Sequence, residues 1–425
     1  MPHQNWPERY ADLLIQLADY SVHGGWTFCG LGACVDAMLS VHDAVPVLLA
    51  SSDPAARALG ETLARRAEAG IGGEIRVDWD DGPAWLDAEL RPAAALGGTG
   101  PHAARVLTAL GAPALLALQH RDAEQMACLD GDIRLARNGQ PVAARDIAPC
   151  GSPRPKIYIF EFTAGRPVHA TAAPRSSRII VRFTDPDTEN DPEFEALSTA
   201  LAAQAGAGVL SGFSAVSSRD LEGALRRARA LGLRWREAGV LVVHMEMAGF
   251  DTPALRDRTL EGLRGAYTSL GLSQSEYQAL VPGGAPETET VVATARRLEV
   301  DRLCVHADAW ALAASRGDPD HERTALMAGC LLASTRAALG HPARPTEVSR
   351  DAVFETPPDE RRCGEWSIVA CASPYLPRPA TTLGLGDTFM AGCLLVLGQA
   401  HQGTAAQPWR ETAGNRLTKI NGGNG

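Results

Sequence analysis

The feature that most constrains the fold is an alternation of helical and apolar extended segments that begins at Pro192. Helical periodicity at 194–205 is followed by a short apolar segment at 208–210, a helix at 221–231 and a fully apolar segment at 240–243. Helices that alternate with buried strands predict βα units, and therefore a parallel sheet with helices on both faces. Ligands of such sheets bind beyond the carboxyl ends of the strands. Polar residues directly after a strand are therefore the first candidates for a site.

The composition is that of a globular protein long enough for more than one folding unit. The 425 residues are 45% hydrophobic and 21% charged, with a net charge of −10 and no long basic run. These values argue against nucleic acid or an anionic membrane as the partner. The chain has neither an apolar run of about 18 residues nor a cationic start followed by an apolar core. We therefore expect a soluble cytoplasmic protein with no membrane contact.

Nine cysteines are scattered along the chain without a CxxC pair. This spacing indicates neither a zinc site nor a disulfide framework, and it is typical of a protein from a reducing compartment.

A block of short alternating strands differs from the rest of the chain. The segments KIYIFEF (156–162) and RIIVRF (178–183) alternate in the manner of strands, as does the segment 74–79. Period-two alternation puts Arg178 and Arg182 on the same face of their strand. The block predicts a smaller, β-rich unit.

The most informative motif is TTLGLGDTFMAGCLLVL (381–397), close to the C-terminus. Glycines followed by an apolar run indicate a tight turn that opens a buried helix. The free N–H groups of Gly386, Asp387 and Thr388 and the helix dipole would form a seat for negative charge. An acid beside such a seat is suited to phosphoryl transfer. The residues alone leave open a plain helix N-cap role for Asp387.

Four further features are candidates, each with a structural alternative. Asp36 could hold a polyol hydroxyl or be a surface turn residue, and Gly97-Gly98 could cradle a ligand or simply join a strand to a helix. Glu246, in His244-Met245-Glu246 after an apolar strand, could organise a metal or phosphate network or form a structural ion pair. Ser273 and Glu276 form a capping box, which explains them structurally.

Taken in order, these motifs resemble the ADP-dependent glucokinase and phosphofructokinase family of the ribokinase superfamily, from about Gly30 to Leu397. The resemblance implies an α/β, ribokinase-like fold, with a mainly parallel sheet flanked by helices and a smaller β-rich lid. The large domain would comprise 1–36, 97–154 and 201–425, and the lid 37–96 and 155–200. It also implies a sugar or sugar-phosphate kinase that uses Mg²⁺ and ADP and acts as a monomer or small homo-oligomer.

The resemblance also assigns roles to residues. Asp387 matches the catalytic base, with Gly384 and Gly386 forming its anion hole. Glu246 and Glu276 match the metal-organising acids, and the acceptor would meet Asp36, Gly97, Gly98 and Arg178. His306, Thr382 and Leu385 would lie on the nucleotide side, in a pocket built from loops at 305–310 and 372–380. Arg166, Arg178 and Arg182 would meet a phosphate at the distal end of the sugar, although solvated surface arginines are the alternative.

The chain departs from the family pattern at three positions. The family usually has GxNxNxDA where this chain has GLGACVDA (30–37), so Gly32 and Cys34 replace two asparagines, and Ser273 replaces the asparagine of N-x-x-E. The loss of these amides favours one alternative, a catalytically silent sugar or nucleotide sensor. A second alternative, an ATP-dependent kinase of the ribokinase type, stays open because the sequence does not reveal the geometry of the adenine pocket.

Overall fold

A computed structural model describes residues 5–286 and 289–399 of the chain. Within these residues lie sixteen strands: β1 (Trp26–Cys29), β2 (Cys34–Ser40), β3 (Gly73–Arg76), β4 (Ala93–Gly97), β5 (Ala114–Leu116), β6 (Arg134–Arg137), β7 (Gln140–Ala143), β8 (Ile157–Phe162), β9 (Ser177–Arg182), β10 (Ala205–Leu210), β11 (Val242–Glu246), β12 (Ser269–Ser273), β13 (Arg302–His306), β14 (Trp310–Ser315), β15 (Arg361–Cys363) and β16 (Trp366–Ala372).

The same residues form thirteen α-helices: α1 (Trp6–His23), α2 (Val41–Ala50), α3 (Pro54–Glu68), α4 (Gly82–Glu89), α5 (Thr99–Leu110), α6 (Ala123–Cys128), α7 (Pro192–Leu201), α8 (Leu221–Ala238), α9 (Pro253–Gly262), α10 (Gln274–Leu280), α11 (Thr290–Arg297), α12 (Pro319–Leu339) and α13 (Leu385–Leu397). None of them is long and apolar enough to cross a membrane.

The larger of two sheets has eleven strands in the order β15-β16-β14-β13-β12-β11-β10-β1-β5-β6-β7. Its centre, from β13 to β6, is parallel, and both edges are antiparallel. One core fills the face covered by α1, α5, α12 and α13, and a second fills the face covered by α7 and α8. This confirms the predicted parallel sheet with helices on both faces.

The smaller sheet has five strands in the order β3-β9-β8-β2-β4. Its outer face packs against helices α2, α3 and α4 in a core of its own. Its inner face carries a small apolar cluster that includes Ile157 and Ile159, and Leu383, from the loop before α13, packs against this cluster. The inner face of the small sheet therefore lies directly over the glycine motif.

Helix α7 bears on one boundary between the two predicted units. All but its last residue lies in the range 155–200 that we predicted for the lid, yet its Phe194 and Leu197 are buried in a core of the large sheet. We propose that the lid ends before α7. The remaining boundaries stay a prediction, and the ranges 1–4 and 400–425 of the large domain lie outside the described residues.

Segment 31–39 differs from its predicted form. We predicted a glycine bend with an acid just after it, but residues 34–40 form strand β2, which lies between β8 and β4 in the small sheet. Asp36 points from this strand, and its side chain is buried, with 4% of its surface exposed. The surface-turn alternative for Asp36 is therefore wrong.

Candidate active site

The first turn of helix α13 carries the predicted base. The helix begins at Leu385, and its N-cap is Gly384, in the left-handed conformation at φ +65°. A Cβ on Gly384 would lie 2.5 Å from the guanidinium of Arg336, so the backbone angle and the space both require glycine. Asp387 is the third residue of the helix, and no side chain caps this terminus. The alternative that Asp387 is the helix N-cap is therefore wrong.

The predicted set of free N–H groups at this turn, those of Gly386, Asp387 and Thr388, is wrong at one residue, Thr388. Thr388 donates its N–H to Gly384 O at 3.0 Å and its hydroxyl to the same oxygen at 2.7 Å, so it is not part of an anion hole. The free donors are those of the first helical residues up to Asp387. Together with the helix dipole, they suit a phosphate group.

Arg336, on helix α12, lies directly beneath this turn and is 3% exposed. Its guanidinium donates to Gly384 O at 3.2 Å and to Thr388 Oγ1 at 3.1 Å, and it meets His102 Nδ1 at 3.3 Å, whereas its Nε is buried without a partner. Burial lowers the pKa of Arg336 to about 10, against the opposing effect of Asp387. The group therefore stays charged at neutral pH and supplies a fixed positive charge under the turn.

The sequence reasoning did not predict Arg336 or its contact with His102. The signal was present, because Arg336 is the only charged residue in the helical segment 325–338. A charge in such a buried helix needs a partner. That partner, a backbone oxygen at the glycine turn, cannot be read from the helix itself.

Asp36 reaches the same site from the small sheet. Cys34 Sγ donates to Asp36 Oδ1 at 3.6 Å. Burial raises the pKa of Asp36 to about 8, and the charge of Asp387 adds to this rise, whereas the Cys34 bond, Arg178 and Arg336 oppose it. The carboxyl of Asp36 is therefore largely protonated at neutral pH and can donate a hydrogen bond.

Gly97 and Gly98 make room for Asp36 and its strand. A Cβ on Gly97 would lie 2.2 Å from Asp36 Oδ1, and a Cβ on Gly98, where φ is +92°, would lie 2.4 Å from Gly32 O. These close approaches give both glycines a packing role beside the site. Direct contact with the acceptor stays a prediction for both.

Burial raises the pKa of Asp387 as well. The charge of Glu246 acts in the same direction, whereas Arg336, a hydrogen bond with Thr99 and Arg178 hold the pKa down. Asp36 comes from the small sheet and Asp387 from helix α13, and the structure brings these two acids into one electrostatic group with Arg178 and Arg336.

Glu246, at the end of strand β11, is paired with two histidines. His244 Nε2 lies 2.8 Å from Glu246 Oε2, and His306 Nε2 lies 3.5 Å from Oε1. Burial would raise the pKa of Glu246, but the hydrogen bonds from His244 and His306 outweigh it and lower the pKa to about 2. The structure therefore shows Glu246 in the paired arrangement of the structural alternative. If Glu246 also organises a metal ion, it does so with the carboxylate that these histidines hold.

Glu276 has the capping role that its spacing predicted. Its Oε2 accepts from Ser273 N at 2.7 Å, and Ser273 Oγ accepts from Glu276 N at 3.3 Å. Burial raises the pKa of Glu276, and the nearby charge of Glu246 adds to that rise. Glu276 follows β12, the strand next to β11, so the two glutamates lie at the same edge of the large sheet.

The donor set of this region decides how a metal would be held. In residues 5–286 and 289–399, no group of three or more histidine, cysteine or acidic side chains is arranged to hold a metal ion. A magnesium ion commonly keeps several waters and binds phosphate oxygens with only one or two carboxylates. Glu246 and Glu276 fit such a hydrated ion, and they do not fit a cage of protein ligands.

The residues that we predicted for the nucleotide side, His306, Thr382 and Leu385, lie in two different surroundings. The rings of His306 and Phe389 lie 5.0 Å apart, and His306 Cε1 would lie 3.2 Å from a Cβ on Gly386, so His306 packs against the first turn of α13 beside Leu385. Burial would lower the pKa of His306, but Glu246 and the other nearby acids raise it. Thr382 lies under the small sheet instead.

The three arginines predicted to meet a distal phosphate have different surroundings. Arg178 donates to Thr382 O at 2.8 Å, and its Nε is buried without a partner. Arg182 is 1% exposed and engaged by the backbone oxygen of Ser214 and by three carboxylates: Glu74, Asp185 and Asp251. Arg166 lies in an exposed turn. Arg182 is thus already neutralised by carboxylates, whereas Arg178, which is half-buried, has an Nε without a partner and, within the described residues, no carboxylate in an ion pair with it.

A family model described as the ADP-specific phosphofructokinase/glucokinase conserved region matches residues 27–396. ADP-specific phosphofructokinases of Thermococcus zilligii and Thermococcus kodakarensis are 23% and 24% identical to the chain over 287 and 279 residues. These alignments span 57% and 55% of this chain but only 62% and 60% of the relatives, which is less than two thirds of their length.

Two solved structures share the fold. One is an ADP-dependent kinase in complex with fructose-6-phosphate and ADPβS, with a TM-score of 0.77, 18% identity and coverage of 95% of this chain and 100% of that one. The other is a phosphofructokinase from Pyrococcus horikoshii OT3 with AMP, with a TM-score of 0.67, 18% identity and coverage of 88% and 98%. At this identity the likeness shows the fold, which confirms the ribokinase-like architecture.

Proposed function

The chain belongs to the ADP-specific phosphofructokinase/glucokinase family, and from this membership we propose that it transfers a phosphoryl group from ADP to a hydroxyl of a sugar phosphate. The observation that carries the proposal is Asp387 in the first turn of α13, with free N–H groups beside it and the buried cation Arg336 beneath it. A proton acceptor and a seat for anionic oxygens then lie at one point.

The proposed reaction assigns the proton to Asp387. The acceptor oxygen attacks the β-phosphorus of ADP, its hydroxyl proton passes to the Asp387 carboxylate, and the bond between the β-phosphorus and the bridging oxygen breaks to release AMP. The raised pKa of Asp387 supports this role, because a base works best when its pKa approaches the working pH. Asp36, which is largely protonated at neutral pH, is suited to orient the acceptor by donating to one of its oxygens.

Two groups would stabilise the transferred phosphoryl group. The N–H groups at the start of α13 would donate to its oxygens, and Arg336 would add a positive charge that neither solvent nor salt screens strongly, because it is buried. The small sheet covers the site and would exclude the water that competes with the acceptor.

We propose that magnesium acts with the nucleotide. When bound, the ion would neutralise phosphate charge and orient the phosphates. Glu246 and Glu276 would hold its waters, and His244 and His306 would keep Glu246 ionised and fix its orientation. The low pKa of Glu246 supports this role, because the carboxylate is charged across the working pH range.

We propose fructose 6-phosphate rather than glucose as the acceptor, because the relatives found are named ADP-specific phosphofructokinases. Arg178, with its unpartnered Nε, is the arginine we assign to the acceptor.

All nine cysteines are free thiols, which supports a reducing compartment such as the cytoplasm. A monomer or small homo-oligomer stays the prediction for the assembly.

The first prediction tests the base. Asp387→Asn is nearly isosteric but cannot accept the proton, so we expect turnover to fall about 100- to 10,000-fold. The assay is a matrix of ADP and ATP against glucose and fructose 6-phosphate with magnesium, using the wild type and the variant. The melting temperature and nucleotide binding of the variant should stay close to those of the wild type.

Two outcomes would contradict the proposal. Near-wild-type turnover in the variant would remove Asp387 from the chemistry. Binding of nucleotide and sugar by the wild type without any turnover would instead favour the silent sensor, which the Gly32, Cys34 and Ser273 departures also suggest.

A further inference from the structure

The contact between the small sheet and the glycine motif is concentrated on the backbone of Thr382. Glu161 Oε1 accepts from Thr382 N at 3.1 Å and from Thr382 Oγ1 at 3.2 Å. The same oxygen accepts from Thr381 Oγ1 at 3.3 Å, and Arg178 Nη1 donates to Thr382 O at 2.8 Å. One carboxylate and one guanidinium therefore hold both backbone polar groups of a single residue.

The positions of Glu161 and Arg178 follow from the strand register. The two residues are directly opposite each other on the antiparallel strands β8 and β9. Such cross-strand neighbours point to the same face of the sheet. Their neighbours on that face, Ile159 and Ile180, belong to the apolar cluster on which Leu383 packs. The hydrogen bonds from Glu161 and Arg178 thus hold Thr382, and the apolar contact holds Leu383, the next residue of the same loop.

The loop that Glu161 and Arg178 hold, residues 381–383, leads directly into the turn at 384–387 that carries Asp387, which we call the catalytic turn. Thr382 is two residues before Gly384, the N-cap whose oxygen accepts from Thr388 and Arg336. A shift of Thr382 would therefore move the start of α13 and the free N–H groups beside Asp387. A displacement of about 1 Å at a reacting group can cost about 100-fold in rate.

We propose that Glu161 is a positioning residue, which couples the approach of the small sheet to the assembly of the catalytic turn. The inference rests on the proposed kinase function for its consequence on turnover. The role assigned to Glu161 is to hold the loop through Thr381 and Thr382. When the small sheet is in place, Glu161 fixes the loop. If the sheet moves away, the loop loses its three hydrogen bonds to Glu161 Oε1 together.

The test compares Glu161→Ala with Glu161→Gln. The alanine variant loses all three bonds, and hydrogen bonds to a charged group are worth enough that we expect kcat to fall about 10- to 100-fold. KM for ADP should change less than kcat, because Glu161 would act through the position of the turn that carries Asp387 and not by binding the nucleotide. The glutamine variant keeps an acceptor oxygen in the same place and should recover part of the lost turnover.

Glu68→Ala is the matched control. Glu68 also accepts from two backbone N–H groups, those of Ala170 and Thr171, but all of these residues lie in the small unit. We expect its kcat to match the wild type. An equal loss of kcat in Glu68→Ala and Glu161→Ala would show general damage to the small unit and would overturn the proposal.

Hydrogen–deuterium exchange gives a readout that needs no turnover. The amide of Thr382 should exchange faster in Glu161→Ala than in the wild type and in Glu68→Ala. Unchanged exchange, or unchanged kcat in Glu161→Ala, would overturn the positioning role. If the wild type showed no turnover with any donor, the proposed function would fail, yet the exchange comparison would still decide whether Glu161 holds the loop.

Discussion

At the scale of single residues, Gly384 is constrained both by its backbone angle and by its surroundings. Its φ of +65° disfavours any other residue, and a Cβ would meet the guanidinium of Arg336 at 2.5 Å. We expect Gly384→Ala to displace Arg336 or the turn and so to lower both stability and turnover. The measurements are the free energy of unfolding in urea and kcat under saturating substrate.

Gly364 provides the control for this change. Its φ is +69°, close to that of Gly384, but a Cβ there would have no atom within 4 Å. Gly364→Ala should lose about 1 kcal/mol from the left-handed conformation alone, without loss of activity. If the two alanine variants lost the same free energy and both stayed active, the contact with Arg336 would have no role in the turn.

Residue chemistry was predictable from the sequence where it depended on neighbours in the chain. The acid of the glycine motif and the Ser273–Glu276 capping box required only local spacing, and the structure confirms both arrangements. Asp36 was harder, because its burial depends on strands β4 and β8, which lie far away in sequence. Arg336 was missed for the same reason, since the turn it supports lies 48 residues further along the chain.

At the scale of elements, the contact between Glu246 and His306 depends on the carboxyl ends of strands β11 and β13. Glu246 ends β11 and His306 ends β13, and β12 lies between them. Parallel neighbours present their ends at the same edge, so His306 can reach past β12 to Glu246. The sequence predicted both strands but could not give their order in the sheet, and it therefore could not show that the two side chains meet.

This arrangement predicts the effect of Glu246→Gln. The change keeps the size of the side chain but removes the charge, so we expect the magnesium concentration for half-maximal activity to rise about 10- to 100-fold. The charge also stabilises the fold above pH 4.5, the ordinary pKa of the group. The wild type should lose that contribution as the pH falls towards about 2, whereas the variant should not.

Asp301→Asn is the control for this prediction. Asp301 is also buried and pairs with a cation, Arg316, at 2.9 Å, but it precedes β13, at the opposite end of the strand from His306. Its loss should lower the melting temperature and leave the magnesium dependence as in the wild type. A lower melting temperature with unchanged magnesium dependence in Glu246→Gln would assign Glu246 to a structural ion pair alone.

At the scale of the whole molecule, the site exists only where the two sheets meet. Asp36, Glu161 and Arg178 come from the small sheet, and Asp387 and Arg336 from helices of the large unit. A second contact joins the units away from the catalytic turn, where Arg182 of β9 bonds with Ser214 O and with Asp251. Sequence patterns identified both units, but the faces that meet depend on contacts between distant segments.

The donor is also decided at this scale, because it depends on the distance from the nucleotide pocket to the catalytic turn. The predicted walls of the pocket, loops 305–310 and 372–380, are held together by the pairing of Trp310 with Ala372 and by a bond from Ser373 N to Ala309 O at 2.8 Å. His306, in one of these loops, packs against the first turn of α13. We therefore expect the predicted pocket to keep a fixed distance from this turn.

If the distance between the predicted pocket and the first turn of α13 is fixed, it determines which phosphate of the nucleotide reaches Asp387. If adenine binds between these loops so that the β-phosphate meets the N–H groups beside Asp387, the γ-phosphate of ATP has to extend beyond them. We therefore expect kcat/KM to be at least about 100-fold higher for ADP than for ATP, a difference of about 2.7 kcal/mol in transition-state binding. Steady-state assays with repurified nucleotides measure this ratio. A higher kcat/KM for ATP would overturn the assignment of ADP as the donor, but Asp387→Asn would still abolish turnover with ATP if the chain is a kinase.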